Sequence, residues 1–599
     1  MDVAEAAVFL EVGVVFNGLS PTLECLRYLV GQLSRTDALI WCARANLVVS
    51  NPFNDHEVAQ SYLLHAFFPE VAELARACDW MQRHRASRGT TFFRGQLLEL
   101  AYWVLKWSRD QRDDGHTFES VRHRRLFGQA ALVASSVWSD RINQPIAESR
   151  ESNVSQLRRD VMAAVRASLV ENSSGCPPHV VLGRGALLWS KYMPIRRPES
   201  DAEFESAVGL SRADFLTAFA ALASQHLDVR PAKLNGDAAA GGLFHAGVWD
   251  ASSKLGPAFR ALLVKLSTPL EAFAQHAKSD GHEKFLTTVR SSPIVRTADG
   301  RHIVLDPTFF AAQGVLLPLF AIGALSTGDL CFSHFGNAFE DYVADLVTTR
   351  YASAPSLAPR SCVRAELKRG NTVVGEVDAA ILVGADAICM IEAKAVFLRD
   401  EAANLVDSLQ KEIRKKYSSA SGKPKGVAQL ARNIRELAAG GLTNLDPVLV
   451  GARSVLPVLL VYDGLLDAPG HVAFLIDEFA NELGPEDRLP AGKFRKGDLI
   501  VTAPIVLTID DFEWLEASLE NFALGEFLEA YSNADPERSS DVRTFALRSE
   551  FRTRMKQPTA AYASVLQVLD DLGVKAFGEM WRAFAVDAKS GDSGQSQEL

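Results

Sequence analysis

Two apolar runs near residue 380 constrain this chain more than any other feature. TVVGEVDAAILV (372–383) and AICMIEAKAVF (387–397) both read as strands of a buried sheet, and only the short connector GAD separates them. Yet Asp378 sits inside the first run, and Glu392 and Lys394 interrupt the second. Residues two apart on a strand face the same side, so Glu392 and Lys394 share a face. Charge in such a setting is costly unless it is paired or bound to a metal. A cross-strand salt-bridge cluster is the plain alternative, but such clusters usually face solvent at strand edges.

The surroundings extend the pattern. A helical segment, FGNAFEDYVADLVTTRY, precedes the runs and carries Glu340. A further strand-like run, CVRAELK (362–368), lies between them, with RGN as a hairpin turn. A basic stretch and the helical GVAQLARNIRELAAG follow. Next come the buried-type strand VLPVLLVYD (455–463), the helical HVAFLIDEFANEL and the strand APIVLTID.

Three acids and one lysine suit hydrolysis of a phosphodiester. Asp378 and Glu392 offer hard oxygen ligands for Mg²⁺ or Mn²⁺. Such a metal polarises a phosphoryl oxygen and lowers the pKa of bound water. Lys394 beside the phosphate would orient the nucleophile and offset developing negative charge. Glu340 would add a ligand directly or through water.

At these residues the chain resembles the PD-(D/E)XK nuclease superfamily, the restriction-endonuclease-like fold. The pieces are FE at 339–340, GEVD at 375–378 and IEAK at 391–394. Asp378 matches the family's first metal-binding acid, Glu392 and Lys394 its (D/E)XK pair, and Glu340 the acid on the preceding helix. Gln429, in VAQLARNI, resembles a glutamine that some branches carry on the following helix. Val377, not proline, precedes Asp378, as in many members. The resemblance covers roughly 331 to 515. It implies a mixed-sheet α/β nuclease core, a Mg²⁺-dependent endonuclease activity and a catalytic set of Asp378, Glu392, Lys394, Glu340 and Gln429, with metal on Asp378, Glu392 and Glu340.

The rest of the chain frames that core. At roughly 150 residues per domain, 599 residues allow about four domains. The expected division is a mainly helical region at 1–290, serving recognition, sensing or subunit contacts. A β-hairpin and connector follow at 291–330, with Asp299-Gly300 as the turn. The nuclease domain spans 331–517, and a helical extension with a disordered tail spans 518–599. Runs such as EVAQSYLLHAFFPEVAELARACDWMQ and GQLLELAYWVLKWSRD space apolar residues three and four apart. Breaks fall at Asn51-Pro52, Cys176-Pro177-Pro178 and Asn235–Gly242.

Charge limits how substrate can be held. The net charge is −10, so nucleic acid must meet a local basic surface on an acidic body. KEIRKKYSSASGKPK (411–425) supplies the expected one, with Lys411, Arg414, Lys415, Lys416, Lys423 and Lys425. Arg83, Arg85, Arg88 and Arg94, and the run Arg122–Arg125, are smaller local clusters, read first as solvated surface and second as a further grip on a duplex. DNA is the expected partner. An RNase of the same fold, and a non-catalytic binding scaffold, stay open as alternatives, as does a homo-oligomer.

Other classes are excluded by what is missing. No GxxxxGK[ST] is present, so no recognisable ATPase motif drives this chain, and neither GxSxG nor HExxH occurs. GGLFHAG around His245 lacks the strand–loop–helix spacing of a cofactor loop. Seven cysteines without a CxxC pair suit a reducing cytoplasm. The N-terminus lacks a basic signal-peptide segment, and the longest apolar run, Gly314–Leu325, is too short for a bilayer, which needs about 20 residues. A nuclease with a large non-motor region suggests, by analogy, bacterial defence against phage or foreign DNA.

Overall fold

The computed structural model describes residues 9–50, 56–85, 89–109, 120–149, 178–227, 243–245, 256–351, 361–397, 406–534 and 542–555, apart from short gaps within those spans, and isolated positions 567 and 571. The expected disordered tail lies outside these residues. The chain is mostly helical and carries one large mixed sheet.

A small sheet sits in the N-terminal half. Strands β1 (Leu243–His245), β2 (Ser267–Pro269), β3 (Ile294–Arg296) and β4 (Arg301–Val304) stand in the order β1-β4-β3-β2. β3 and β4 form the expected hairpin, and Gly300 in its turn takes φ +82°, where glycine carries no Cβ penalty. His245 lies on β1, in a strand rather than a loop.

The large sheet begins with β5 (Ser361–Arg369), β6 (Thr372–Val383) and β7 (Ala387–Lys394), an antiparallel meander. The β6 limits coincide with the run read from the sequence. A crossover of about 60 residues then returns the chain to β10 (Ser454–Val461), which runs parallel to β7 along its whole length. That crossover holds the helices Val406–Tyr417 and Gly426–Ala439, joined by a ribbon of β8 (Ser419–Ala420) and β9 (Lys423–Pro424). β11 (Arg488–Leu489), β12 (Lys493–Lys496) and β13 (Leu499–Thr502) extend the sheet beyond β10. β14 (Ile505–Thr508) also pairs with β10, next to β13. Pro504 lies between these two pairings, where a ladder donor is missing.

β7 and β10 are buried on both faces, which explains their unbroken apolar sequences. On one face Cys389, Ile391, Leu456 and Val458 pack with Phe335, Phe339 and Tyr342 of the helix Gly328–Leu346. On the other, Ile388, Met390, Val455 and Leu459 meet Val427, Leu430 and Ile434 of the helix Gly426–Ala439. The first core continues without a break into the helices between 178 and 266. A separate core joins residues from Leu10 to Ala134 with residues from Leu270 to Phe309. The N-terminal helices therefore divide between two cores, one of them shared with the sheet.

A buried cross-link fixes this arrangement. Arg184 of the helix Pro178–Leu187 grips Glu513 through two 2.8 Å contacts, and both side chains are 3% exposed. Tyr342 donates to the same Glu513 at 2.5 Å. Among the described residues no helix is long and apolar enough to cross a membrane. The apolar run Gly314–Leu325 lies in the helix Pro307–Gly323 up to its end, and Gly314 there faces Leu182 and Phe219.

Candidate active site

The site forms where the β6–β7 ladder ends. Pairing runs from Val383↔Ala387 to Ala379↔Ile391 and goes no further. At the next residue Asp378 takes over with its side chain: the Ala393 N–H donates to Asp378 Oδ2 at 2.8 Å. A carboxylate thus satisfies a backbone donor that the neighbouring strand no longer serves, and this holds Asp378 against the end of β7.

Glu392 and Lys394 occupy the last turns of the β7 pleat. Glu392 has no exposed surface, whereas Lys394 is 17% exposed. Lys394 Nζ lies 2.5 Å from Glu392 Oε1, 3.8 Å from Asp378 Oδ2 and 3.9 Å from Glu340 Oε1. It also donates to the Ala393 carbonyl at 3.1 Å. Four oxygens from two strands and one helix surround a single ammonium.

Glu340 arrives on the helix Gly328–Leu346. Cys331, Phe335, Ala338, Phe339, Tyr342 and Val343 bury one face of that helix, spaced three and four apart. Glu340 borders the buried stripe, 30% exposed, and meets the strand ends.

Three acids around one base hold excess negative charge, and protons relieve it. Burial pushes Glu340 up to about 7, the Asp378 charge adds to that, and Lys394 and Arg364 oppose it. Burial likewise drives Glu392 well above the usual carboxylate range, against the pull of Lys394. The Lys394 ammonium is disfavoured by burial, but Glu392, Asp378 and Glu340 outweigh this and keep it protonated.

A divalent cation suits this donor set. Both Glu392 oxygens are buried, and among the described residues their one close polar partner is Lys394, 2.5 Å from Oε1. Unsatisfied hard oxygens facing an ammonium are what Mg²⁺ or Mn²⁺ would complete. As the side chains stand, no three acid, His or Cys groups among the described residues form a ready cage, because Lys394 lies among them.

Gln429 lies in the first turn of the helix Gly426–Ala439, half-buried, and its side chain makes no hydrogen bond to the four charged groups among the described residues. One turn further on, Asn433 is buried and donates to the Glu376 carbonyl at 2.6 Å, two residues before Asp378. The sequence reading passed over Asn433, although a polar residue on the apolar stripe Val427, Leu430, Ala431 and Ile434 was a usable signal.

The basic stretch divides. Lys411, Lys415, Lys423 and Lys425 are exposed. Arg414 is committed to Glu478 at 2.8 Å, and Lys416 to Glu412 and the Phe397 carbonyl. The smaller arginine clusters are tied down too: Arg83 pairs with Asp79, Arg85 with Glu57 and Arg125 with Glu73. Solvation does not account for Arg94, which is buried against Asp306 at 2.6 Å. Arg88 lies outside the described residues.

The chain matches no known family model, no curated protein and no solved structure.

Proposed function

We propose that this chain is a Mg²⁺-dependent endonuclease of the PD-(D/E)XK type, with a restriction-endonuclease-like core in a multidomain chain, hydrolysing phosphodiester bonds of DNA. The carrying observation is the convergence of Glu340, Asp378 and Glu392 on Lys394 at the end of an otherwise apolar strand. A salt bridge needs one acid for one lysine. The additional buried acids cost stability and call for a cationic ligand.

Asp378 and Glu392 would hold the metal, with Glu340 as a further oxygen ligand. The bound ion would supply Lewis-acid polarisation of the phosphate and a more acidic water. The chain's own groups do the rest. The Ala393 N–H fixes Asp378, so its oxygens are oriented before substrate arrives. Lys394 stays protonated, so its role is electrostatic: its ammonium neutralises charge gathering on the phosphoryl oxygens. Burial of Glu392 keeps water from competing for its oxygens.

The setting we propose is defence against phage or foreign DNA, by analogy with nucleases that carry large non-motor regions. The test is cleavage of supercoiled, linear and single-stranded DNA, and of RNA, with Mg²⁺, with Mn²⁺ and with chelator. Metal-dependent DNA cuts support the reading. Metal-dependent cleavage of RNA alone would instead make it a ribonuclease of the same fold.

A further inference from the structure

Arg364 on β5 is the one non-glycine residue with a left-handed backbone among the described residues, at φ +51°. Side chains with a Cβ avoid this region, and glycine would occupy it at lower cost. Such strain persists where the surroundings or the function require it. The position is also pointed: Arg364 falls between the pairs Val363↔Ala379 and Ala365↔Val377, across the ladder from Asp378.

The guanidinium reaches the site helix, where Nη2 pairs with Asp341 Oδ1. Asp341 is the residue after Glu340. The same carboxylate accepts from Arg196, at the end of the helix Met193–Arg196, with Nη2 2.6 Å from Oδ1 and Nε on Oδ2. Two guanidinium groups therefore share one carboxylate, and a net positive charge remains on the arginine pair. Both stay accessible: Arg364 is 38% exposed and Arg196 28%. One arginine would suffice to neutralise Asp341. The second, held in a strained backbone beside the acids, also faces Glu340, and its partly exposed guanidinium can still receive a further anion.

We propose that Arg364 and Arg196, aligned by Asp341, form a phosphate-binding subsite that grips a backbone phosphate neighbouring the one to be cut. This rests on the nuclease reading and identifies where its substrate is held. A guanidinium fork matches phosphate oxygens with paired donors, and Asp341 pre-orients both forks before binding. Arg364 also acts on the charge of Glu340, so the subsite and the acid cluster share one electrostatic field. The ligand chemistry is a phosphodiester backbone, common to DNA and RNA.

The test uses the full chain carrying Asp378→Asn, to prevent cutting, and short labelled DNA and RNA duplexes across a salt series. Arg364→Gly removes the guanidinium and suits the left-handed backbone, so it should fold at least as well as the parent. Arg196→Gln is the second variant. Each should weaken binding and lower the slope of log K against log salt by about 0.9 on duplex DNA. Loss on the DNA duplex, the RNA duplex or both supports the subsite and identifies the source of the phosphate. If the parent binds a duplex and both variants match its affinity and slope, the subsite is refuted while the nuclease reading stands. If the parent binds neither duplex and the unmodified chain cuts nothing with Mg²⁺, the nuclease reading falls, and the subsite with it.

Discussion

Lys394 Nζ stands 2.5 Å from Glu392 Oε1, at a carboxylate with no solvent-exposed surface, and Asp378 and Glu340 reach the same ammonium within 3.9 Å. The lysine thus serves as counter-ion for more acid than it can neutralise. Stability and function should pull against each other at this point.

That conflict predicts opposite stability effects at the two partners. Lys394→Ala leaves three acids without their cation and should destabilise the metal-free protein by about 3 kcal/mol. Glu392→Gln keeps the shape and removes one like charge, so stability should hold or rise by about 1 kcal/mol. Denaturant titration with chelator present checks both. Equal losses in the two variants would mean a simple ion pair.

Glu340 sets a pH dependence. Its carboxyl is raised from 4.5 to about 7, so it favours the folded state when protonated. That contribution is complete below about 4.5 and disappears as pH rises through about 7. Without metal, the wild type should lose about 2 kcal/mol across this window relative to Glu340→Gln, a figure discounted for partial exposure. Parallel stability curves for the two proteins would remove the effect.

Asn433 should act through position. Asn433→Ala removes the 2.6 Å bond to the Glu376 carbonyl and should cost about 1 kcal/mol. Cleavage should fall further than stability explains, because β6 carries Asp378 two residues later. Full activity in a destabilised variant would make Asn433 purely structural.

How much of this was legible in sequence depended on the range of the contacts. Asp378 on β6, and Glu392 and Lys394 on β7, announce themselves by charge within apolar residues, and the β3–β4 hairpin by Asp299-Gly300. The β11–β13 meander was missed, because RLPAGKFRKGDLIVT alternates weakly and carries lysines. The clamp of Arg196 and Arg364 on Asp341 joins residues 145 and 23 positions apart, with no local periodicity to reveal it. For the same reason a run of basic letters at 411–425 did not separate the exposed Lys415 from Arg414, whose partner Glu478 is 64 residues away.

The split of that basic segment has a measurable consequence. Lys411→Ala and Lys415→Ala should each lower the salt slope for duplex DNA by about 0.9, if each neutralises one phosphate. Arg414→Ala, already paired with Glu478, should lower it little. Equal slopes for all three variants and the parent would move the DNA path away from this segment.

The central claim is that the acids and Lys394 form a metal-dependent phosphodiesterase centre. Its most direct test compares supercoiled-plasmid cleavage in Mg²⁺ by the wild type, Glu392→Gln and Lys394→Ala, with Glu392→Gln confirmed as folded. Chelator should abolish cleavage by the wild type, and each variant should lose about 100-fold or more. Unimpaired cutting by Lys394→Ala, or no metal-dependent cutting of DNA or RNA by the wild type, would contradict it.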